Sequence, residues 1–171
     1  MGDFHNLAGQ EAIQKIQKLA ESANTCMLLT NLDEIPSDAR PMATCKVEDN
    51  GTFWFFSPAD SHKNMEISVD NRVQLIYINN SSAEYMSLYG TVEVLKDEVK
   101  AKELWNVFLT TWFNEGPADP NLTLLKFTPQ DGYYWDTKNN KMVSLAKIAI
   151  GALKGKMMDD GREGKISLEV R

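Results

Sequence analysis

Histidine and cysteine are scarce in this 171-residue chain, with two of each. His5 and His62 alone cannot build a multi-histidine metal centre within one chain, so no metal site is expected. Cys26 and Cys45 stand far apart and outside any C-x-x-C, the pattern of reduced, buried thiols rather than of a disulfide framework. The chain also lacks G-x-S-x-G, G-x-G-x-x-G and the phosphate-loop pattern. Its nearest approach, GALKGK at 151–156, misses the loop spacing by one residue and runs into Met157. A Ser-His-Asp triad would have to use His62, and nothing beside it presents a nucleophile. Hydrolysis by side chains alone is therefore not expected, and any catalysis should be carried by a cofactor. No window approaches ~18 consecutive apolar residues, and MGDFHNLAGQ has no basic region followed by an apolar one. Asn6 occupies the place where a lipidation signal after Gly2 wants Ser or Thr. These absences predict a cytoplasmic protein with no membrane partner.

Positive charge is in deficit as well. Eighteen Lys and Arg face 24 Asp and Glu, a net charge of −6, which gives no general attraction to phosphodiester backbones and argues against a nucleic-acid partner. The deficit is uneven. Residues 141–171 carry seven basic and four acidic side chains, while residues 1–140 carry 11 basic and 20 acidic ones. Such a basic end reads as a solvated or dimer-docking extension, with contact to an anionic surface as the alternative. Any anion held by the acidic body must be gripped by local cations.

What is present suits one globular domain, with 43% hydrophobic and 25% charged residues. Ile13, Ile16, Leu19, Ala20 and Ala23 recur at helical spacing, predicting an amphipathic helix over 11–23. Strands are expected at 25–31 and 40–48. The Asp49-Asn50-Gly51 turn then predicts a hairpin joining 40–48 to the aromatic strand 52–57 (TFWFFS). A short helix over 61–71 should begin at Asp60 or Ser61 with Met65 and Val69 on its inner face. Strands follow at 73–78 and 84–95, the second carrying Gly90 as a candidate bulge. A helix is expected over 97–113 with an apolar stripe of Val99, Leu104, Val107, Phe108 and Trp112. Further strands at 122–129 and 132–136 precede a helical stretch to about 156 and a Gly- and charge-rich end. Consecutive strands without crossover helices point to an antiparallel architecture, mainly β with flanking helices. The domain proper is expected over 1–140, with 141–171 as its basic helical extension.

Residues 40–63 are the most informative. Arg40 and Lys63 are cations in an acidic region, and Ser57, Ser61 and His62 add donors around Lys63 at a helix start. This combination could hold a phosphate monoester; it is also compatible with an ordinary capped surface helix. Strand alternation sends Phe53 and Phe55 to one face and Trp54 and Phe56 to the other, so both faces need cover. Trp112 and Phe113, adjacent on a helix, point about 100° apart. One fits the core stripe, and the other is free for a partner subunit or a flat ligand.

Arg40-Pro41-Met42-Ala43-Thr44, the strand ending Phe55-Phe56-Ser57, Ser61-His62-Lys63, and Glu103–Asn106 leading to Thr111-Trp112-Phe113 before Gly116-Pro117 carry a family resemblance. Their order and spacing resemble the general stress protein branch of the pyridoxamine phosphate oxidase-like flavoproteins over residues 10–136. The resemblance implies an antiparallel split β-barrel homodimer with FMN, or alternatively FAD, at each subunit interface. By the same resemblance Arg40, Pro41, Met42, Ala43 and Thr44 would line the isoalloxazine and ribityl region, with Phe56 and Ser57 continuing the wall. Lys63 would pair with the phosphate, supported by Ser61 and His62, and Trp112 and Phe113 would approach from the other subunit. The implied activity is oxidoreductase chemistry with a small-molecule reductant or substrate, or flavin binding without turnover. The sequence departs from the vitamin B6 phosphate oxidases, which have Ser-Arg-Lys where this chain has Ser-His-Lys and end in an arginine-containing substrate motif absent from KISLEVR.

Overall fold

The computed structural model describes residues 3–137 and 161–168. The expected helix over 141–156 lies outside the described residues. Two short strands, β1 (Asp3–Phe4) and β2 (Leu7–Ala8), lead into helix α1 (Gly9–Ala23), then β3 (Thr25–Thr30), β4 (Asp38–Ala43), β5 (Lys46–Val47) and β6 (Phe53–Pro58). Helix α2 (His62–Val69) separates these from β7 (Arg72–Asn79) and β8 (Glu84–Leu95). Helix α3 (Glu98–Leu104) and 3-10 turns at Val107–Thr111 and Gly116–Ala118 come next. Strands β9 (Leu122–Thr137) and β10 (Gly161–Ser167) complete the described residues. The strands run β1-β10-β9-β8-β7-β3-β4 through one sheet, with β6 branching from β9 and β5 from β6. The sheet does not close, and the architecture is a split barrel.

The branching depends on β8 and β9, which are long enough to serve two halves. Residues 122–127 of β9 pair with β6, and residues 131–137 pair with β10; β8 follows along the other edge of both. The register shifts between Tyr89 and Gly90, the bulge expected from the sequence. A Cβ at Gly90 would lie 2.2 Å from the Thr128 carbonyl oxygen, so only glycine permits this approach. Gly132 makes a similar approach to the Ser87 carbonyl from the β9 side.

Several expected boundaries differ. The Asn50-Gly51 hairpin forms, but only Lys46 and Val47 pair with Trp54 and Phe53; residues 38–43 pair with β3. The expected strands at 122–129 and 132–136 are one bent strand. The helix over 97–113 ends at Leu104, because the Asn106 side chain accepts from the Phe108 N–H at 3.1 Å and restarts the chain as a 3-10 turn. At the chain's end, Gly161–Ser167 is a strand rather than part of a helical extension.

Two apolar clusters result. The larger contains Ile16, Leu19 and Ala20 of α1 with Phe53, Phe55, Leu75, Tyr77, Leu88 and Phe127. The smaller holds Trp54 and Phe56 beneath α3, with Ala101, Phe113 and Leu124. The alternation of Phe53–Phe56 thus feeds two cores from one strand.

Asp136 ties α1 to β9 and β10. Its carboxylate, almost fully buried, accepts from Lys15 and from Arg162 Nε and Nη2 at 3.1 and 3.2 Å. Burial pushes the carboxyl up, but the bonds from Arg162 and Lys15 outweigh it and hold the group below its ordinary value. A carboxyl more acidic in the folded chain stabilises it fully above 3.8, and that contribution fades as pH falls through the lower folded value. Asp136→Asn should therefore destabilise the protein near neutral pH by about 2–3 kcal/mol, short of a fully buried pair because Arg162 keeps some water. Denaturant titrations at pH 7 and pH 3 check this: the difference from wild type should shrink at the lower pH.

Candidate functional site

The β6–α2 junction and edge strand β4 bring the predicted residues together. Arg40 leaves β4 and reaches under α2, donating to Thr30 Oγ1 at 2.6 Å and to Glu66 Oε2 at 2.9 Å, while Thr30 Oγ1 donates to the same carboxylate at 2.5 Å. Glu66 lies one turn after Lys63 on α2, so this ion pair fixes Arg40 beside the helix start. Lys63 is half-buried and makes no hydrogen bond or ion pair with the described residues. Its ammonium is held below the usual lysine range chiefly by loss of water and then by the neighbouring Arg40 charge, with Glu66 only partly opposing them. Two cations against one carboxylate leave a local positive excess in an acidic protein.

The turn that starts α2 is prepared for an acceptor. Ser61 is the N-cap residue, yet its hydroxyl makes no cap bond; it lies 3.2 Å from Ser57 Oγ instead. The His62 and Lys63 N–H groups therefore have no side-chain cap, whereas the Asn64 N–H donates to the Ser61 carbonyl at 3.0 Å. His62 is exposed.

Along β4 the predicted residues divide between two faces. Arg40 and Met42 lie on the side of Leu28 and Cys26, whereas Pro41 and Ala43 lie opposite, next to Met27 and Thr25. β4 pairs only with β3, so its outer edge offers unpaired backbone groups, and Pro41 is tolerated there because an edge strand needs no donor at every position. The Thr44 hydroxyl is 2.7 Å from Tyr77 Oη, which anchors the end of the strand to the main core. Just beyond it, the Cys45 N–H donates to the Trp54 carbonyl at 2.9 Å, carrying the chain to the strand that ends in Ser57. Burial pushes the Cys45 thiol up to about 11 and the Cys26 thiol to about 12, so both are protonated, inert packing groups near neutral pH.

The rings of Phe56 and Phe113 are buried against neighbouring aromatic side chains. Phe56 packs on Trp105 and Phe113 at centroid distances of 6.0 and 6.2 Å, and Phe113 is 2% exposed. Trp112, in contrast, is 67% exposed and stands with Val107 and Phe108 as an outward apolar group. Of that pair, Trp112 is the one with an accessible ring.

Tyr77, Thr30, Glu66, Asn64 and Thr123 also belong to this region and were not singled out from the sequence. Asn64 and Thr123 are buried and bonded to each other and to the 57–58 backbone. Their sequence separation of 59 positions leaves no local pattern to detect. Met65 and Val69, expected on the inner face of α2, are 52% and 89% exposed; Asn64 and Ile67 face inward instead. Among the described residues no three His, Cys, Asp or Glu side chains converge as metal ligands, and no helix is long and apolar enough to cross a membrane.

An unclosed split barrel with a cationic, uncapped helix start beside an edge strand defines a class, and comparison with known proteins identifies it. The family model for pyridoxamine 5'-phosphate oxidase like proteins matches residues 11–159, and the chain belongs to that family. Protein bli-3 of Neurospora crassa is 23% identical over 156 residues, which cover 84% of this chain and 75% of that protein. Among solved structures, general stress protein 26 from Jannaschia sp. CCS1 superposes with a TM-score of 0.78 at 23% identity, covering 94% of this chain and all of that one. The general stress FMN/FAD binding protein of Xanthomonas citri gives 0.65 at 27% identity, with 77% and 93% covered.

The Arg40–Glu66–Thr30 cluster sets the cation geometry. Thr30→Val should keep the fold but loosen Arg40, costing about 1 kcal/mol of stability for the lost buried bond. Urea unfolding at pH 7 measures it.

Proposed function

We propose that this protein binds a flavin nucleotide, FMN with FAD as the alternative, and holds its phosphate at the start of α2. The observation that carries this reading is Lys63, a half-buried ammonium beside Arg40 with no carboxylate in contact among the described residues. A dianionic phosphate is the group that would offset that arrangement. Lys63 and Arg40 would supply charge, and the uncapped N–H groups at the start of α2 and the Ser61 hydroxyl hydrogen bonds. The outer edge of β4 from Arg40 to Ala43 offers N–H and C=O groups to the polar rim of a planar ring. The flavin-binding description of the Xanthomonas citri relative supports the same reading.

A bound isoalloxazine would supply hydride or electron exchange with a small-molecule reductant or substrate. This chain's own residues bind and orient. Burial of Phe56 and Phe113 keeps the wall rigid, and Thr44, tied to Tyr77, fixes the end of the edge strand. Such exchange at a flavin needs no protein acid or base, which suits a chain with only two histidines. The alternative is a stress-response module that holds flavin without turnover. Reduction of the purified protein by NADH or NADPH and reoxidation in air supports the first; a flavin that stays oxidised with both supports the second.

The flavin is proposed to lie at a homodimer interface. One face of the sheet exposes Met27, Ile78, Tyr85, Tyr89 and Trp135, adjacent across paired strands. Pro41 and Ala43 continue the same face at its β4 edge. An apolar area of this kind suits a second copy of the chain, and it reaches the site.

Lys63→Ala should weaken FMN binding by about 1.5–3 kcal/mol, the range of a charge-assisted bond, while leaving the thermal transition of the apoprotein unchanged or higher. Titration of apoprotein with FMN by flavin fluorescence decides it; unaltered affinity removes the assignment. Trp112→Ala should shift flavin absorbance or emission with the fold intact. A spectrum identical to wild type, or a monomer by sedimentation, argues against an interfacial flavin.

A further inference from the structure

We infer that Asn64 and Thr123 are positioning residues for the phosphate-holding turn, acting through residues 57–63 without touching the ligand. The inference rests on the reading of that turn as the phosphate site. Thr123, on β9, lies opposite Ser57 in the sheet register. Its hydroxyl donates to the Ser57 carbonyl at 2.6 Å and accepts from Asn64 Nδ2 at 3.0 Å. The same Nδ2 donates to the Pro58 carbonyl at 3.1 Å, and Asn64 Oδ1 accepts from Ser57 Oγ at 2.7 Å. Ser57 Oγ in turn stands 3.2 Å from Ser61 Oγ.

The circuit is closed. Both amide hydrogens and the carbonyl of Asn64 have partners, and the Thr123 hydroxyl both gives and receives. The amide orientation is set by the Pro58 carbonyl, since exchanging O and N would put two acceptor oxygens against each other there. Asn64, Thr123 and Ser57 are 7%, 4% and 0% exposed, so the circuit sits behind the turn and reaches no ligand. An apolar pair of matching shape at 64 and 123 would fill the same volume but take a partner from the buried Ser57 hydroxyl and from the Ser57 and Pro58 carbonyls, so the circuit also contributes to stability. What the polar version adds is direction. It ties the residue immediately after Lys63 to a sheet position opposite Ser57, fixing where the hydroxyls and first N–H groups of α2 point. Asn121 braces the outer side of the turn, accepting the Ala59 N–H at its carbonyl at 2.7 Å.

The test compares FMN with riboflavin, which lacks the phosphate, in apoprotein titrations of wild type, Thr123→Val and Thr123→Ser. Thr123→Val should weaken FMN binding about five- to tenfold while riboflavin binding changes by less than about twofold. Thr123→Ser, which restores the hydroxyl, should return FMN affinity to near wild type. Equal loss for both ligands, or unchanged FMN affinity in a folded Thr123→Val protein, overturns the positioning role. Should Thr123→Val fail to fold, Asn64→Ser removes the amide donors from the other end of the circuit and carries the same expectations. Lys63→Ala separates the two readings. If it weakens FMN selectively and the circuit variants do not, only the positioning role fails; if it leaves FMN binding unchanged, the phosphate reading fails and this inference with it.

Discussion

The close approach of β8 to β9 at Gly90 is the constraint on which the rest of the molecule depends. With no side chain at position 90, the two strands bend together through a bulge and continue into different neighbourhoods. One end of β9 meets β10; the other meets β6. Without the bend, β9 could not place Thr123 opposite Ser57 while also placing Asp136 beside Lys15 and Arg162. The site at the start of α2 and the ion cluster under α1 are thus two ends of one bent strand, and a side chain at position 90 would disturb both.

Strand β6 converts that bend into two cores. Phe53 and Phe55 enter the main cluster, while Trp54 and Phe56 carry the smaller one beneath α3. Because both faces of β6 are filled by packing, its contribution to any ligand is confined to its backbone. This is why a strand of four consecutive aromatics, the most conspicuous run in the sequence, supplies a wall and not a stacking platform. The exposed aromatic ring lies elsewhere, at Trp112, freed when Asn106 interrupts α3 and turns the chain outward.

Much of this was legible in the residues. Alternation, the Asn50-Gly51 turn and Gly90 located the strands and the bulge, and Arg40 with Lys63 marked the cationic end of the site. Three features escaped because they depend on partners far away in sequence. Met65 and Val69 read as the inner face of α2 by their apolarity, yet Asn64 faces inward, since its amide satisfies the Pro58 carbonyl and Thr123. The strand Gly161–Ser167 has two glycines and weak strand propensity, and it forms because β9 and the N-terminal strands offer backbone partners on both sides. Helix 97–113 looked continuous because its apolar spacing persists beyond Asn106, and only the capping competition of that side chain ends it.

Electrostatics would allow so acidic a chain to hold an anion at the proposed site. At physiological ionic strength charges separated by more than about 8 Å are largely screened, so the net charge of −6 acts weakly on a group bound at α2. The nearest charges decide: Arg40 and Lys63 against Glu66. Glu66 is needed to fix Arg40, yet it neutralises only one of the two cations, and Lys63 remains partly desolvated beside Arg40. That arrangement is unfavourable in the isolated chain and becomes favourable when a negative group shares the space. The conflict stands out in a fold whose other buried charges at Asp136, Lys15 and Arg162 are matched, and the proposed binding of a phosphate would relieve it.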